Sequence, residues 1–121
     1  MKINLFTKPS KEVKNPTTGD FWKDHDGTIN VAVQELGNED YEFLIALHSL
    51  IEGFLIEKNK LDRNLIEYFD KTFKQNKEGL ITNQEDPGDD TAAPYHKEHT
   101  FATFIEMQVA NEMNVSWDKY N

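Results

Sequence analysis

The strongest constraint on the fold is a long segment of helical periodicity between about residues 39 and 58. Apolar side chains recur there three and four positions apart, which places them on one face of an α-helix. Asn38 is a favourable N-cap residue, and the acidic pair Glu39 and Asp40 suits the first turn because the helix dipole favours negative charge there. We therefore predict a helix from about Glu39 to Lys58 whose inner face carries Tyr41, Leu44, Ile45, Leu47, His48, Ile51, Phe54 and Leu55.

Two more helices are expected in the second half of the chain. One starts near the N-cap candidate Asp62, ends near Gln75, and should turn Leu65, Ile66, Phe69 and Phe73 inward. The other starts near Pro94, because proline suits a first helical position, and ends near Met113. Asn114 can then adopt the left-handed cap, so that Trp117 and Tyr120 fold back onto the body.

The N-terminal part reads as a small sheet. Asp26-Gly27 lies between two strand-like segments, at 20–24 and 28–33, and is a strong hairpin signal. Residues 2–6 alternate weakly and fit an edge strand. We predict an α+β fold in which a small N-terminal β-hairpin or sheet packs on about three α-helices, so that the chain is mostly helical.

A length of 121 residues fits a single domain. We expect a β-rich part at 1–36 and a helical part at 37–121. The helical part includes an acidic loop at 76–93, and a loop of that length is often functional.

Composition limits the function classes. The chain has no cysteine, so any metal ligands must be histidine and carboxylate. Its formal net charge is −9 and it has one arginine, Arg63, which disfavours direct reading of nucleic acid. No apolar run approaches the roughly 20 residues of a membrane span, and the N-terminus lacks a signal peptide pattern. We therefore expect a cytoplasmic protein without membrane contact.

The residues most able to carry chemistry are His48 and Glu52. They are four positions apart on the inner side of the first helix, so their side chains can reach one ion. A carboxylate beside an apolar stripe is costly unless it is paired or binds a metal. On the third helix, His96, His99, Thr103 and Glu106 share one face. His48, Glu52 and His99 are our candidate metal ligands.

Carboxylates around this group are the candidates for other roles. His99 and Glu106 are two turns apart, roughly 10 Å, which suits Glu106 as an orienting residue or an alternative ligand. Glu106 and Asp70 are the candidate catalytic residues, as acceptors of a proton from water. Asp89 and Asp90 could close over the site from the loop. A structural His–carboxylate network without metal would satisfy the same pattern.

Two blocks resemble a family of small uncharacterised phage and prophage proteins. The first runs from Tyr41 to Glu52 and contains Leu-His-x-x-x-Glu. The second runs from Glu85 to Glu106 and contains Pro-Gly-Asp-Asp-x-x-Ala-Pro-Tyr-x-x-x-His-x-x-Ala-Thr-x-x-Glu. With the Gly19-Asp-Phe-Trp segment and the closing segment 115–120, the resemblance covers most of the chain.

The resemblance implies a compact domain from a mobile element and no established activity. The positions that match it are His48, Glu52, Pro87, Gly88, Asp89, Pro94, Tyr95, His99 and Glu106. Ser49 departs from the pattern, in which a glutamate follows the histidine. That glutamate would be the general base of a metallopeptidase motif, so Ser49 argues against protease-type hydrolysis.

We therefore expect a phage accessory protein with a site for a divalent metal, zinc or manganese. A metal-dependent hydrolase is the more specific hypothesis that follows from such a site. The main alternative is a non-enzymatic protein that binds a host protein or a small signalling molecule, with the His and Glu residues as a hydrogen-bond network. A third reading is an all-helical, magnesium-dependent nucleotide pyrophosphohydrolase, which would leave both histidines unexplained.

Overall fold

The computed structural model describes residues 1–12, 19–77 and 86–121 and confirms the predicted mostly helical α+β fold. The strands are β1 (Ile3–Lys8), β2 (Asp20–Lys23) and β3 (Ile29–Gln34). The helices are α1 (Glu39–Lys58), α2 (Arg63–Lys77), α3 (His96–Glu112) and α4 (Trp117–Tyr120), with short 3-10 turns at Ser10–Glu12 and Pro87–Asp89.

The three strands form one sheet with β3 in the centre. β2 and β3 are antiparallel and joined at the predicted Asp26-Gly27 turn, where Gly27 has a φ of +86°. β1 pairs with the other side of β3 in parallel, starting with Ile3 opposite Ile29. β1 is therefore an edge strand, as expected, and β3 carries the sheet contribution to the core.

Helix α1 covers one face of the sheet. Ile29, Val31 and Val33 of β3 are buried against Ala46 of α1. Phe21 joins this cluster, while its neighbour Trp22 lies on the other face with its ring edge-on to Phe6, because successive strand residues point to opposite faces.

Gly53 allows α1 to approach the sheet closely. A Cβ atom at this position would lie 2.4 Å from the ring of Phe21, so any larger residue would push the helix away. The helix therefore has a fixed height above β2 and β3, which also fixes the level of the side chains on its other faces.

The helix bounds agree with the sequence in most places. Asn38 caps α1 as predicted, and its side chain accepts a hydrogen bond from the Tyr41 backbone N–H at 3.1 Å. Asn114 has the predicted left-handed conformation, with a φ of +59°. The third helix was expected to start near Pro94; a turn continues through Tyr95, and α3 begins two residues later, at His96.

Two residues predicted to face inward are exposed. Phe54 is 38% exposed and Leu65 is 57% exposed. Apolar side chains surround α1 on nearly all sides, so periodicity alone could not select its buried face. In α2, Ile66 and Phe69 pack against the cluster of Ile56, Ala93 and Tyr95, and Leu65 lies outside that contact.

Helices α1 and α3 pack directly on each other, and this contact holds the candidate site. Of the predicted acidic loop at 76–93, residues 78–85 lie outside the described ranges, and residues 86–93 form the 3-10 turn and the approach to α3. Among the helices in the described ranges, none is both long and apolar enough to cross a bilayer.

Candidate metal centre

The structure brings the three predicted metal-ligand candidates together between α1 and α3. Glu52 Oε2 lies 3.0 Å from His48 Nε2 and 2.7 Å from His99 Nδ1. The two imidazole rings meet edge to face, with centroids 4.8 Å apart. Both histidines are buried, so one carboxylate oxygen is shared by two imidazoles in a site largely shielded from solvent. We call His48, Glu52 and His99 the His–Glu cluster.

In each imidazole, the ring nitrogen that does not face Glu52 lies next to another carboxylate. His48 Nδ1 lies 2.8 Å from Glu106 Oε1, and His99 Nε2 lies 2.9 Å from Asp89 Oδ1. Asp86 Oδ2 is farther from His99 Nε2, at 3.9 Å. Acidic and basic side chains thus alternate through a hydrogen-bonded network in the order Asp89, His99, Glu52, His48 and Glu106.

At its buried end, this network continues into helix α4. The Tyr120 hydroxyl donates a hydrogen bond to Glu106 Oε2, the oxygen that does not face His48. The ring of Tyr120 packs against Tyr41 and Trp117, with centroids 5.0 Å and 5.5 Å away. We call Glu106 and Tyr120 the inner end of the network. The predicted return of Trp117 and Tyr120 to the body of the domain is confirmed.

At the opposite side, the loop before α3 covers His99. A Cβ atom at Gly88 would lie 2.5 Å from His99 Cγ, so glycine allows the backbone to rest on the imidazole. The Gly88 carbonyl also lies 2.8 Å from His96 Nδ1. Asp89 and Asp86 of this loop form the outer end of the network, and the Asp89 side chain is 71% exposed.

Asp90 does not join Asp89 over the site. Its carboxylate accepts a hydrogen bond from the backbone N–H of Ala92 at 2.8 Å, which stabilises the turn toward α3. The expectation that both aspartates close over the cluster is therefore wrong for Asp90, because its side chain satisfies a local backbone donor instead.

Asp70 reaches the cluster only through the side chain of Tyr95. It accepts a hydrogen bond from the Tyr95 hydroxyl at 2.7 Å, and the Tyr95 ring packs edge-on against His99 with centroids 6.3 Å apart. The two candidate catalytic carboxylates therefore differ in place, since Glu106 contacts His48 directly and Asp70 reaches His99 through Tyr95.

The buried side chains shift each other's titration. Burial by itself lowers the pKa of His48, but the hydrogen bonds to Glu106 and Glu52 outweigh it and raise that pKa to about 10. Burial by itself raises the pKa of Glu52, while hydrogen bonds from His48 and His99 lower it to about 2. The pKa of His99 is raised too, because Glu52 and Asp86 outweigh its burial.

In the absence of an ion, the raised pKa values and the carboxylate contacts favour the charged form of both imidazoles. All four ring nitrogens face carboxylates, and an ionised carboxylate only accepts hydrogen bonds, so every ring nitrogen has to donate. Two imidazolium ions then lie among Glu52, Glu106 and Asp89. Within the described ranges, no buried side-chain nitrogen or oxygen lacks a hydrogen-bond partner.

The same residues also fit a divalent ion. Each residue of the cluster offers one ligand atom, and these atoms all lie within 4.8 Å of one another. An ion bound to nitrogen at about 2.0–2.1 Å in tetrahedral geometry needs neighbouring ligand atoms about 3.3 Å apart. The contacts of Glu52 Oε2 at 2.7 Å and 3.0 Å would therefore lengthen, and the ligand atoms, which lie within 4.8 Å of one another, would have to close around the ion. One divalent ion would replace two protons, which leaves the net charge of the cluster unchanged.

Ser49 faces the sheet and not the cluster. It is buried, and a Cβ atom at Gly19 would lie 2.9 Å from its Oγ. The side chain at position 49 therefore points toward the N-terminal sheet in this chain, about 100° around α1 from His48.

Several members of the network were missed from the sequence. The sequence predicted the return of Tyr120 to the domain but not its partner, because a sequence separation of 14 from Glu106 follows no local spacing rule. Asp86 and Tyr95 were not assigned to the site either. Tyr95 lies four residues before His99, which is the one local signal that could have indicated it.

An apolar groove lies apart from the cluster. It is lined by side chains from α1, α3 and the start of β1, among them Ile3, Leu50, Phe54, Phe101 and Ile105. Phe101 and Phe104 of α3 are 50% and 55% exposed.

Comparisons with protein-family models, with curated proteins and with solved structures found no match for this chain.

Proposed function

We propose that this chain binds one divalent metal ion through His48 Nε2, His99 Nδ1 and Glu52 Oε2. The observation that carries the proposal is that the second ring nitrogen of each histidine pairs with a carboxylate, His48 Nδ1 with Glu106 and His99 Nε2 with Asp89. Metal-binding histidines in proteins almost always donate their second N–H to such a partner, which fixes the tautomer. The other two ring nitrogens, His48 Nε2 and His99 Nδ1, then face the shared Glu52 oxygen.

The ligand set suits zinc or manganese. Imidazole and carboxylate bind either ion, and three protein ligands leave at least one position for water. The exposed outer end at Asp89 is the side from which an ion and water would enter, because its side chain is 71% exposed while those of His48 and Glu106 are each 9% exposed.

Metal analysis of the purified protein tests the proposal. Wild type loaded with zinc or manganese and then dialysed should retain about one ion per chain, and His48→Ala and His99→Ala should each retain far less. His25→Ala is the matched control, because His25 is exposed in the β2–β3 turn. Glu52→Gln adds a nearly isosteric variant in case loss of a buried histidine unfolds the chain.

Calorimetric titration with zinc in two buffers of different ionisation enthalpy gives a second readout. Binding near pH 6 should release about two protons, because the ion replaces the protons on His48 Nε2 and His99 Nδ1. Wild type that retains no ion at any loading concentration, or an ion that persists in both histidine variants, would overturn the proposal.

Metal-dependent hydrolysis is the finer form of this proposal. A divalent ion lowers the pKa of a water molecule that it binds, and Glu106 or Asp70 would accept the proton. Glu106 already accepts hydrogen bonds from His48 and Tyr120, and Asp70 from Tyr95, so either carboxylate would have to exchange one of these partners for the water. Turnover of a model ester or phosphodiester by zinc-loaded wild type, absent in Glu52→Gln, is the expected result.

The resemblance to phage and prophage proteins supports an accessory role in the host cytoplasm. The sequence blocks of that resemblance include His48, Glu52, Gly88, Asp89 and His99, which meet in the cluster and in the loop over it. The proposal therefore gives one physical reason for most of the matched positions.

A second candidate function is a non-enzymatic binding protein in which the same residues form a structural network. The observation that favours it is that each ring nitrogen already has a carboxylate partner without any ion. A chain that retains no metal, yet loses stability in His48→Ala and His99→Ala, would leave this candidate in place, with a host protein or a small signalling molecule as the ligand.

A further inference from the structure

The His–Glu cluster depends on the C-terminal segment. We infer that Tyr120, at the end of the chain, is a positioning residue for His48 that acts through Glu106. The inference rests on the proposed metal function and adds to it a residue that touches no ligand atom. Tyr120 and His48 both contact Glu106, on opposite oxygens of the same carboxylate.

The first step is the tautomer of His48. To bind an ion through Nε2, the imidazole has to carry its proton on Nδ1, and Glu106 Oε1 accepts that proton's hydrogen bond at 2.8 Å. Glu106 therefore sets which nitrogen of His48 is available to the ion.

The second step is the orientation of Glu106. This residue is only 7% exposed, so water cannot readily satisfy its second oxygen. Leaving a buried acceptor unsatisfied is costly, and the Tyr120 hydroxyl supplies the missing donor. With both oxygens bonded, the carboxylate has a defined plane and Oε1 stays directed at His48.

The third step is the fixed position of the Tyr120 hydroxyl. Asn114 in left-handed conformation ends α3, and the Val115 backbone N–H bonds the Ala110 carbonyl at 2.9 Å, so the chain reverses. The Tyr120 ring then lies between Tyr41 and Trp117. Burial and the bond to Glu106 raise the pKa of Tyr120, so its hydroxyl stays protonated and remains a donor.

The test compares zinc affinity in Tyr120→Phe with that of wild type. The change removes one hydroxyl and keeps the ring, and the affinity should fall about tenfold, the lower end of the range for outer partners of metal ligands. Tyr41→Phe is the matched control, because it removes a hydroxyl from the ring that packs against Tyr120 and should keep the wild-type affinity.

A double variant shows whether Tyr120 acts through Glu106. In a Glu106→Gln background, the further change Tyr120→Phe should have little additional effect, because residues that act through one partner are not additive. Full additivity of the two changes would overturn the inference. Equal zinc affinity in Tyr120→Phe and wild type would overturn it as well.

Nitrogen NMR of the labelled histidines keeps the inference testable even if Tyr120→Phe does not fold. In zinc-loaded wild type, His48 should show a proton on Nδ1 and coordination at Nε2, and the reverse tautomer would contradict the inference. The two proposals fail separately: wild type that binds no zinc refutes the metal site, whereas zinc binding that is insensitive to Tyr120 refutes only the role of Tyr120.

Discussion

The two ends of the network satisfy the same chemical requirement in different surroundings. At the inner end, Glu106 contacts His48 from a buried position and is itself held by Tyr120. At the outer end, Asp89 contacts His99 at nearly the same distance, 2.9 Å, from an exposed loop. Similar hydrogen-bond lengths therefore do not imply similar energies, because water competes for Asp89 and not for Glu106.

Removal of the inner charge should have the largest effect. Glu106→Gln leaves the buried His48 without one of its two counter-charges, and we expect a loss of about 3 kcal/mol in the free energy of unfolding of the metal-free protein. Urea denaturation measures it. Glu112→Gln, an exposed change on the same helix, is the control and should stay near wild type. A loss below about 1 kcal/mol would remove the distinction between the two ends.

The second-largest difference between the two ends should appear in the pH dependence of the free energy of unfolding. The pKa of His48 is raised to about 10, so its contribution is complete below about pH 6.5 and is lost as the pH rises toward 10. The pKa of Glu52 is lowered to about 2, so its contribution is complete above about pH 4.5 and is lost as the pH falls toward 2.

Metal-free wild type should therefore gain the most from this network between about pH 4.5 and 6.5. Urea denaturation at a series of pH values tests this. In Glu106→Gln the alkaline loss should be smaller and end at lower pH, because the pKa of His48 in the folded chain is raised less. Asp89→Asn should follow the wild-type profile. Saturating zinc should reverse the alkaline trend, because deprotonation of the imidazoles favours the ion. Identical alkaline profiles of the two variants would contradict this prediction.

Steric disturbance of the outer end should have an intermediate effect. Gly88→Ala places a Cβ atom 2.5 Å from His99 Cγ, and relief of such a contact typically costs about 1–3 kcal/mol. Thermal unfolding measures the loss and histidine NMR locates it. Gly53→Ala introduces a similar clash with Phe21 and should destabilise the chain with less change in the His99 signals. Unchanged His99 signals in Gly88→Ala would show that the loop does not hold this imidazole.

The smallest effect should come from Asp89→Asn. An exposed ion pair contributes at most about 1 kcal/mol, so the stability of the metal-free protein should change little. Zinc affinity, measured by calorimetry, should also fall less than in Glu106→Gln. If the two variants weaken zinc binding equally, exposure does not distinguish the ends, and the loop holds His99 as firmly as α4 holds Glu106.

Much of the fold could be predicted because its signals are local. The bounds of α1, the Asn38 cap, the Asp26-Gly27 hairpin and the left-handed Asn114 each depend on neighbouring residues only. The predicted burial of Phe54 failed because α1 is apolar on several sides and does not by itself specify which face another element covers. Leu65 is exposed because the contact of α2 with the body is made by Ile66 and Phe69.

The site divides in the same way. The i, i+4 pair of His48 and Glu52 was determined by the sequence, since helical geometry alone brings the two side chains together. The packing of α3 on α1 then placed His99 on Glu52 and Glu106 on His48, at sequence separations of 47 and 58 residues. The return of the chain after Asn114 added Tyr120. These contacts depend on the relative height and angle of packed elements, which no local spacing encodes.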